Sequence, residues 1–154
     1  MRALTLHRPW PWAIVHAGKA IENRNWRPPH WLIGRPLAIH AGKAIDLDAW
    51  GAMKAGDYGE PAEHVPEDHP LGIVAVCTVK GWIHQEIPGE RLTWSTVGGL
   101  ELREAFDLVN SPWWAGPYGW ILRDVRAVDP PIACRGLQGL WLAPAFAAPA
   151  SVSP

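Results

Sequence analysis

The chain is poor in cysteine, phenylalanine and tyrosine, with two of each, and it lacks any long apolar run. Cys77 and Cys134 lie far apart, which excludes a disulfide framework and a Cys-x-x-Cys metal or redox motif. Reduced thiols in a cytoplasmic protein are expected. No apolar stretch approaches the roughly 20 residues of a membrane-spanning helix, and the opening run from Met1 to His7 breaks too soon for a signal peptide. A membrane partner is therefore not expected. There is no phosphate-cradling loop, since Val97-Gly98-Gly99 lacks the Lys-Ser/Thr ending. Nor is there a His-Glu-x-x-His pair or a serine in a nucleophile elbow. The expectation is no metal and no cofactor.

What the chain does have is tryptophan. Eleven are spread over 154 residues, with 48% hydrophobic and 19% charged residues. That composition belongs to a globular protein large enough for a core, and most of the indoles must be structural. The net charge of −1 hides a polarised chain. Up to Lys43 there are seven Lys or Arg (Arg2, Arg8, Lys19, Arg24, Arg27, Arg35, Lys43) against Glu22 alone. From Ala44 onward seven bases face fourteen acids. A basic region threaded with Trp10, Trp12, Trp26 and Trp31 suits splayed-out nucleic acid, whose bases stack on indoles while Lys and Arg meet phosphates.

The densest chemistry lies in Gly18-Lys19-Ala20-Ile21-Glu22-Asn23-Arg24-Asn25-Trp26. In an extended segment, side chains two apart share a face. Glu22, Arg24 and Trp26 then point one way, with Lys19 at the helix exit beside them. Such a group can hold a polar, planar ligand, or it can be a surface salt bridge beside a core indole. A lysine near a carboxylate can also orient water or polarise a carbonyl.

Along the chain, Ala3 to Leu6 reads as a first strand. Pro9 or Pro11 opens a helix, with Trp10, Ala13, Ile14 and Ala17 inward and Gly18 as its stop. Its free N-terminal amides, beside His7 and Arg8, make an anion site. Pro28-Pro29 and Gly34 punctuate a loop carrying His30 and Trp31. Pro36 to His40 is a strand whose alternation makes His40 a cleft candidate. A second helix runs from its N-cap Asp46 to Gly56. Asp57 to Pro70, with five acids and three prolines, reads as a solvated loop, whose acidic part from Asp57 to Asp68 masks the basic face or mimics nucleic acid toward it. Leu71 to Lys80 is a buried strand, extended or paired by Trp82 to Ile87. Gly99 to Asn110 is a third helix with Leu102, Phe106 and Val109 inward. Ser111 to Gly119 is an aromatic loop, Trp120 to Val128 a strand broken by Pro130-Pro131, and Leu137 to Leu142 closes the fold. Trp12, Trp50, Trp120 and Trp141 are assigned to the core. Residues 143–154 form an Ala/Pro/Ser-rich tail.

The run Arg8-Pro9-Trp10-Pro11-Trp12-Ala13-Ile14, then Gly18-Lys19-x-x-Glu22-x-Arg24, then Leu37-Ala38-Ile39-His40-Ala41, resembles the ASCH domain family. Tyr118-Gly119-Trp120-Ile121-Leu122 and Gly136-Leu137-Gln138-Gly139-Leu140-Trp141 resemble its closing strands. The resemblance covers residues 1–142 as a single domain. It implies an α+β, PUA-like fold: a small mixed β-barrel with flanking helices and a cleft around Lys19 and Glu22 next to the first helix. Members bind RNA or other nucleic acids, and some act on modified nucleosides or cleave RNA. In the branch that deacetylates N4-acetylcytidine, a threonine follows the active-site lysine by three residues. Here that position is Glu22, which cannot supply the same hydroxyl.

Three readings follow. In the first, the chain binds nucleic acid, RNA above all. Lys19, Arg24, Arg27 and Lys43 then meet phosphates, Trp10 or Trp26 stacks a base, and Arg8, Glu22 and His40 complete the cleft. In the second it is a small hydrolase on a modified nucleoside or RNA, with Glu22 as general base on water and Lys19 stabilising the oxyanion. In the third the loop from Pro112 to Trp120 contacts a protein partner.

Overall fold

Capping chemistry sets the second helix. In the computed structural model, which describes residues 1–59, 65–66, 68–87 and 91–149, α2 (Leu47–Ala55) begins where the Asp46 carboxylate accepts the Ala49 N–H at 2.9 Å. It ends at Gly56, whose φ of +83° is the left-handed conformation glycine adopts without strain. Helix α1 (Trp10–His16) is shorter than the sequence pattern implies, at seven residues. Pro9 precedes it and Pro11 lies in its first turn, so two of the amides an anion would use carry no hydrogen. The anion site expected there is not built.

The strands are β1 (Arg2–Arg8), β2 (Ile21–Arg24), β3 (Arg35–Ile45), β4 (Gly72–His84), β5 (Thr93–Thr96), β6 (Tyr118–Ile132) and β7 (Leu140–Leu142), with α3 (Leu102–Val109) between β5 and β6. The fold is mixed α+β. The hydrogen-bonded order is β2-β6-β4-β3-β1-β7, with β5 on β4. This path has two free ends, so the described strands form an open sheet and not the closed barrel that was expected.

The chain divides into two compact units, one of Met1–Gly18, Pro36–Cys77 and Asp124–Pro154, the other of Lys19–Arg35 and Thr78–Arg123. In the first, β1 runs parallel to β3 and antiparallel to β7. Ala3, Ala38, Ile73, Val76, Val128, Trp141 and Ala143 pack as its core. Residues 37–42 of β3 are buried without alternation, the signature of a strand covered on both faces. Trp141 is in the core as expected, its indole N–H donating to Thr5 Oγ1 at 3.0 Å. Trp12 and Trp50 are not core residues but half-buried. Their rings meet His69 edge-on, at 6.3 and 5.2 Å between centroids.

His69 is 3% exposed. Burial pushes its pKa below the usual 6.5, and the nearby charges of Arg8 and His16 push the same way against Asp68. The folded state therefore binds this proton less readily than the unfolded chain. Stability from this residue is complete above pH 6.5 and declines as pH falls from there through the folded-state pKa. We expect the melting temperature to drop more between pH 7.5 and pH 5 in the wild type than in His69→Phe. Equal drops in the two proteins would show that His69 carries no such linkage.

In the second unit, β2 pairs antiparallel with β6 from Ile21↔Ile121 to Arg24↔Tyr118, and β5 pairs with residues 81–84 of β4. Strand β5 has no counterpart in the sequence reading. Trp120 is fully enclosed, as expected. Ile83, Ala105 and Ile121 form the core, with Leu108, Val109 and Trp114 packed against it. Helix α3 thus turns its Ala105 side inward, leaving Leu102 and Phe106 exposed, contrary to the expected face. The small Ala105 lets the helix approach the sheet closely, which a phenylalanine at the contact would prevent.

Of the two readings for residues 82–87, extension holds, since β4 runs without a break from Gly72 to His84. One further boundary differs. Pro130-Pro131 does not break β6, which continues to Ile132. Strand β2 pairs only with residues 118–121, so beyond them β6 has an edge that β2 does not use, where a missing N–H is tolerated. The acidic loop 57–68 and the tail 143–154 fall in part outside the described residues. No helix is long and apolar enough to cross a membrane, among the described residues.

Candidate nucleic-acid interface

Period-two geometry in β2 does place Glu22 and Arg24 on one face. Glu22 Oε1 lies 3.1 Å from an Arg24 terminal nitrogen, and Oε2 lies 3.1 Å from Lys19 Nζ. Lys19 Nζ also donates to the Ile21 carbonyl. The side chains of Lys19 and Glu22 are 2% and 9% exposed, while Arg24 reaches solvent at 25%. Both carboxylate oxygens are therefore engaged, and the lysine is enclosed. A buried pair of this kind is kept by mutual attraction against a large desolvation penalty. It anchors β2 to the chain leading into it, and it presents Arg24 outward.

Trp26 sits just past β2 and meets Trp120 edge-on, with centroids 4.7 Å apart and planes at 87°. Its carbonyl accepts the Trp120 indole N–H at 3.0 Å. Half-buried and committed to this contact, Trp26 holds the segment that follows. That segment lines a cleft of about 350 Å³ formed by Arg27, Pro28, Pro29, His30, Ile33, Trp82 and Ser95. Arg27 and His30 are exposed, and Trp82 is half-buried, edge-on to Tyr118 at 5.7 Å. His84 lies over Tyr118 at 4.3 Å, so the aromatic surface continues. The cleft combines a permanent cation, an imidazole and a hydroxyl with an apolar, partly aromatic wall. That is the pairing a base and its phosphate require.

Trp82, Ser95 and His30 were not among the residues singled out. Pro28-Pro29 beside Arg27 was the available signal, because two prolines fix a backbone on which neighbouring side chains can converge.

The remaining sequence candidates lie in the first unit. Arg8 donates to the Lys43 carbonyl at 2.8 Å and to the His69 carbonyl at 3.4 Å. Trp10 donates to the Asp46 carboxylate at 3.1 Å and meets Tyr58 edge-on. Burial, with Asp46 and Asp57 nearby, raises the Tyr58 pKa above its usual 10. His40 is buried, its Nε2 3.1 Å from the Cys134 carbonyl and its ring edge-on to Trp141. It serves packing. Lys43 is exposed. The nine candidates thus fall into two groups: Lys19, Glu22, Arg24, Trp26 and Arg27 in one unit, and Arg8, Trp10, His40 and Lys43 in the other.

The loop from Pro112 to Trp120 turns much of its aromatic surface inward. Trp113 and Trp120 are buried, and Asn23 holds the loop by donating to the Trp113 carbonyl and accepting the Ala115 N–H. That leaves the protein-contact reading few anchors. Among the described residues, no three His, Cys, Asp or Glu side chains gather as a metal site would require. No protein-family model matches the chain, and no curated protein matches it either.

Proposed function

We propose that this chain is an RNA-binding protein of PUA-like, ASCH type, and that its second unit carries the RNA contact in the cleft of Arg27, His30, Trp82 and Ser95. The observation that carries this reading is the cleft itself, with a cation and an indole on the walls of one concave surface. Arg27 meets a phosphate, a base lies against Trp82, and Arg24 adds charge outside. The motif order from Arg8 to Trp141 and the α+β architecture support the family assignment. The hydrolase reading is the weaker one, because Lys19 is 2% exposed and its charge is already matched by Glu22.

Fluorescence anisotropy with labelled single-stranded RNA at two salt concentrations tests this. Trp82→Ala should weaken binding by about 5- to 150-fold, the range for one lost base stack. Arg27→Ala should lower the slope of log affinity against log salt by about one, since one phosphate contact disappears. Wild-type affinity in both variants would move the contact elsewhere.

A further inference from the structure

We infer that a second cavity, in the first unit, is a binding site for a small monocarboxylate with an aromatic or branched apolar body. Its volume is about 310 Å³, at the small end of ligand pockets, which run roughly 300–1,000 Å³. Most of the wall is apolar, with Trp12, Val15, Val74 and Val128 prominent. The polar and titratable groups that line it are Arg8, His16, His69 and Asp129.

The polar groups select the ligand. The terminal nitrogens of Arg8 are fixed on the carbonyls of Lys43 and His69, so the guanidinium is held in place. Its Nε is shielded from water and has no hydrogen-bond partner among the described residues, and the same is true of His69 Nε2. Buried donors without partners are unfavourable, and a ligand that supplies acceptors relieves them. A neutral His69 can offer one N–H at Nε2, and Arg8 offers another. The cavity thus offers an anion the Arg8 charge with imidazole donors on the same wall, and a carboxylate carries two acceptor oxygens for them. A phosphate would call for more donors than these apolar walls provide. An amine would be repelled by Arg8. Asp129 is exposed, so water screens its charge, and it opposes the anion only weakly. None of these residues belongs to the RNA cleft, so the two proposals stand or fall separately.

Isothermal titration of the full chain with phenylacetate, phenylacetamide and phenethylammonium tests the inference. Phenylacetate should bind saturably with a Kd on the order of 1 mM or tighter. Phenylacetamide should bind at least about tenfold more weakly, as expected when a charge-assisted hydrogen bond is lost. Phenethylammonium should not bind. Val15→Trp, on the half-exposed side of α1, fills the cavity and should abolish phenylacetate binding while RNA affinity is retained. Asp129→Asn should tighten it by about two- to fivefold. Equal affinity for the acid, amide and amine, full binding by Val15→Trp, or no saturable heat with phenylacetate would each overturn the proposal.

Discussion

Glu22→Ala is expected to destabilise the protein by about 3–5 kcal/mol, the range for removing one partner of a buried ion pair. The variant removes the carboxylate 3.1 Å from the Lys19 ammonium, a group 2% exposed that also faces the Ile21 carbonyl. It also releases Arg24, though that side chain is 25% exposed and regains water. Urea unfolding is the measurement. The midpoint should fall with the slope unchanged, because the folded surface stays the same. The control is a double variant, Lys19→Met with Glu22→Leu, which removes both buried charges and fills similar volume. It should recover most of the loss. A double variant as unstable as Glu22→Ala would show that the two positions contribute by something other than mutual charge compensation. If Glu22→Ala has wild-type stability, the pair is not the anchor of β2 that its geometry indicates.

Trp120→Ala should have an effect of similar size, about 3–5 kcal/mol, by a different route. Trp120 is the largest fully buried side chain described. Truncation opens a cavity, and it also strips the Trp26 carbonyl of its donor. Trp120→Phe separates the two terms, since it keeps much of the volume and loses the N–H. Its expected loss is smaller, and at least about 1 kcal/mol of it belongs to the unpaired carbonyl. Because Trp26 rests edge-on against Trp120 and leads directly into Arg27, Trp120→Ala should also weaken RNA binding. Trp26→Ala, made at a half-buried ring, should destabilise less than Trp120→Ala. The reverse order would mean that Trp26 is the keystone of this stack.

Elements with local signals were legible in the sequence. Asp46 and Gly56 bracket α2 because capping depends on a few neighbouring atoms. Glu22 and Arg24 share a face because strand periodicity is local too. Their burial was not legible, because it depends on where β6 lies. The inward face of α3 was misread for the same reason. Leu102 and Phe106 are the more apolar pair, but the sheet beneath has room for Ala105. His69 escaped notice because it follows five acids and two prolines in a stretch that reads as solvent-facing, yet it lies between Trp12 and Trp50. The proposed cleft gathers Arg27 with Trp82 and Ser95, residues more than fifty positions away. No spacing rule reaches that far.

The pairing of β1 has a consequence for how this protein is made. One neighbour, β3, follows within about forty residues on the ribosome, but the other, β7, comes last among the described strands, at Leu140–Leu142. Until then one edge of β1 lacks the partner it has in the finished fold, and open strand edges recruit other chains. A ribosome stalled before residue 140 would therefore release a product with a sticky flank. Such a fragment should be a better client for chaperones than the completed chain.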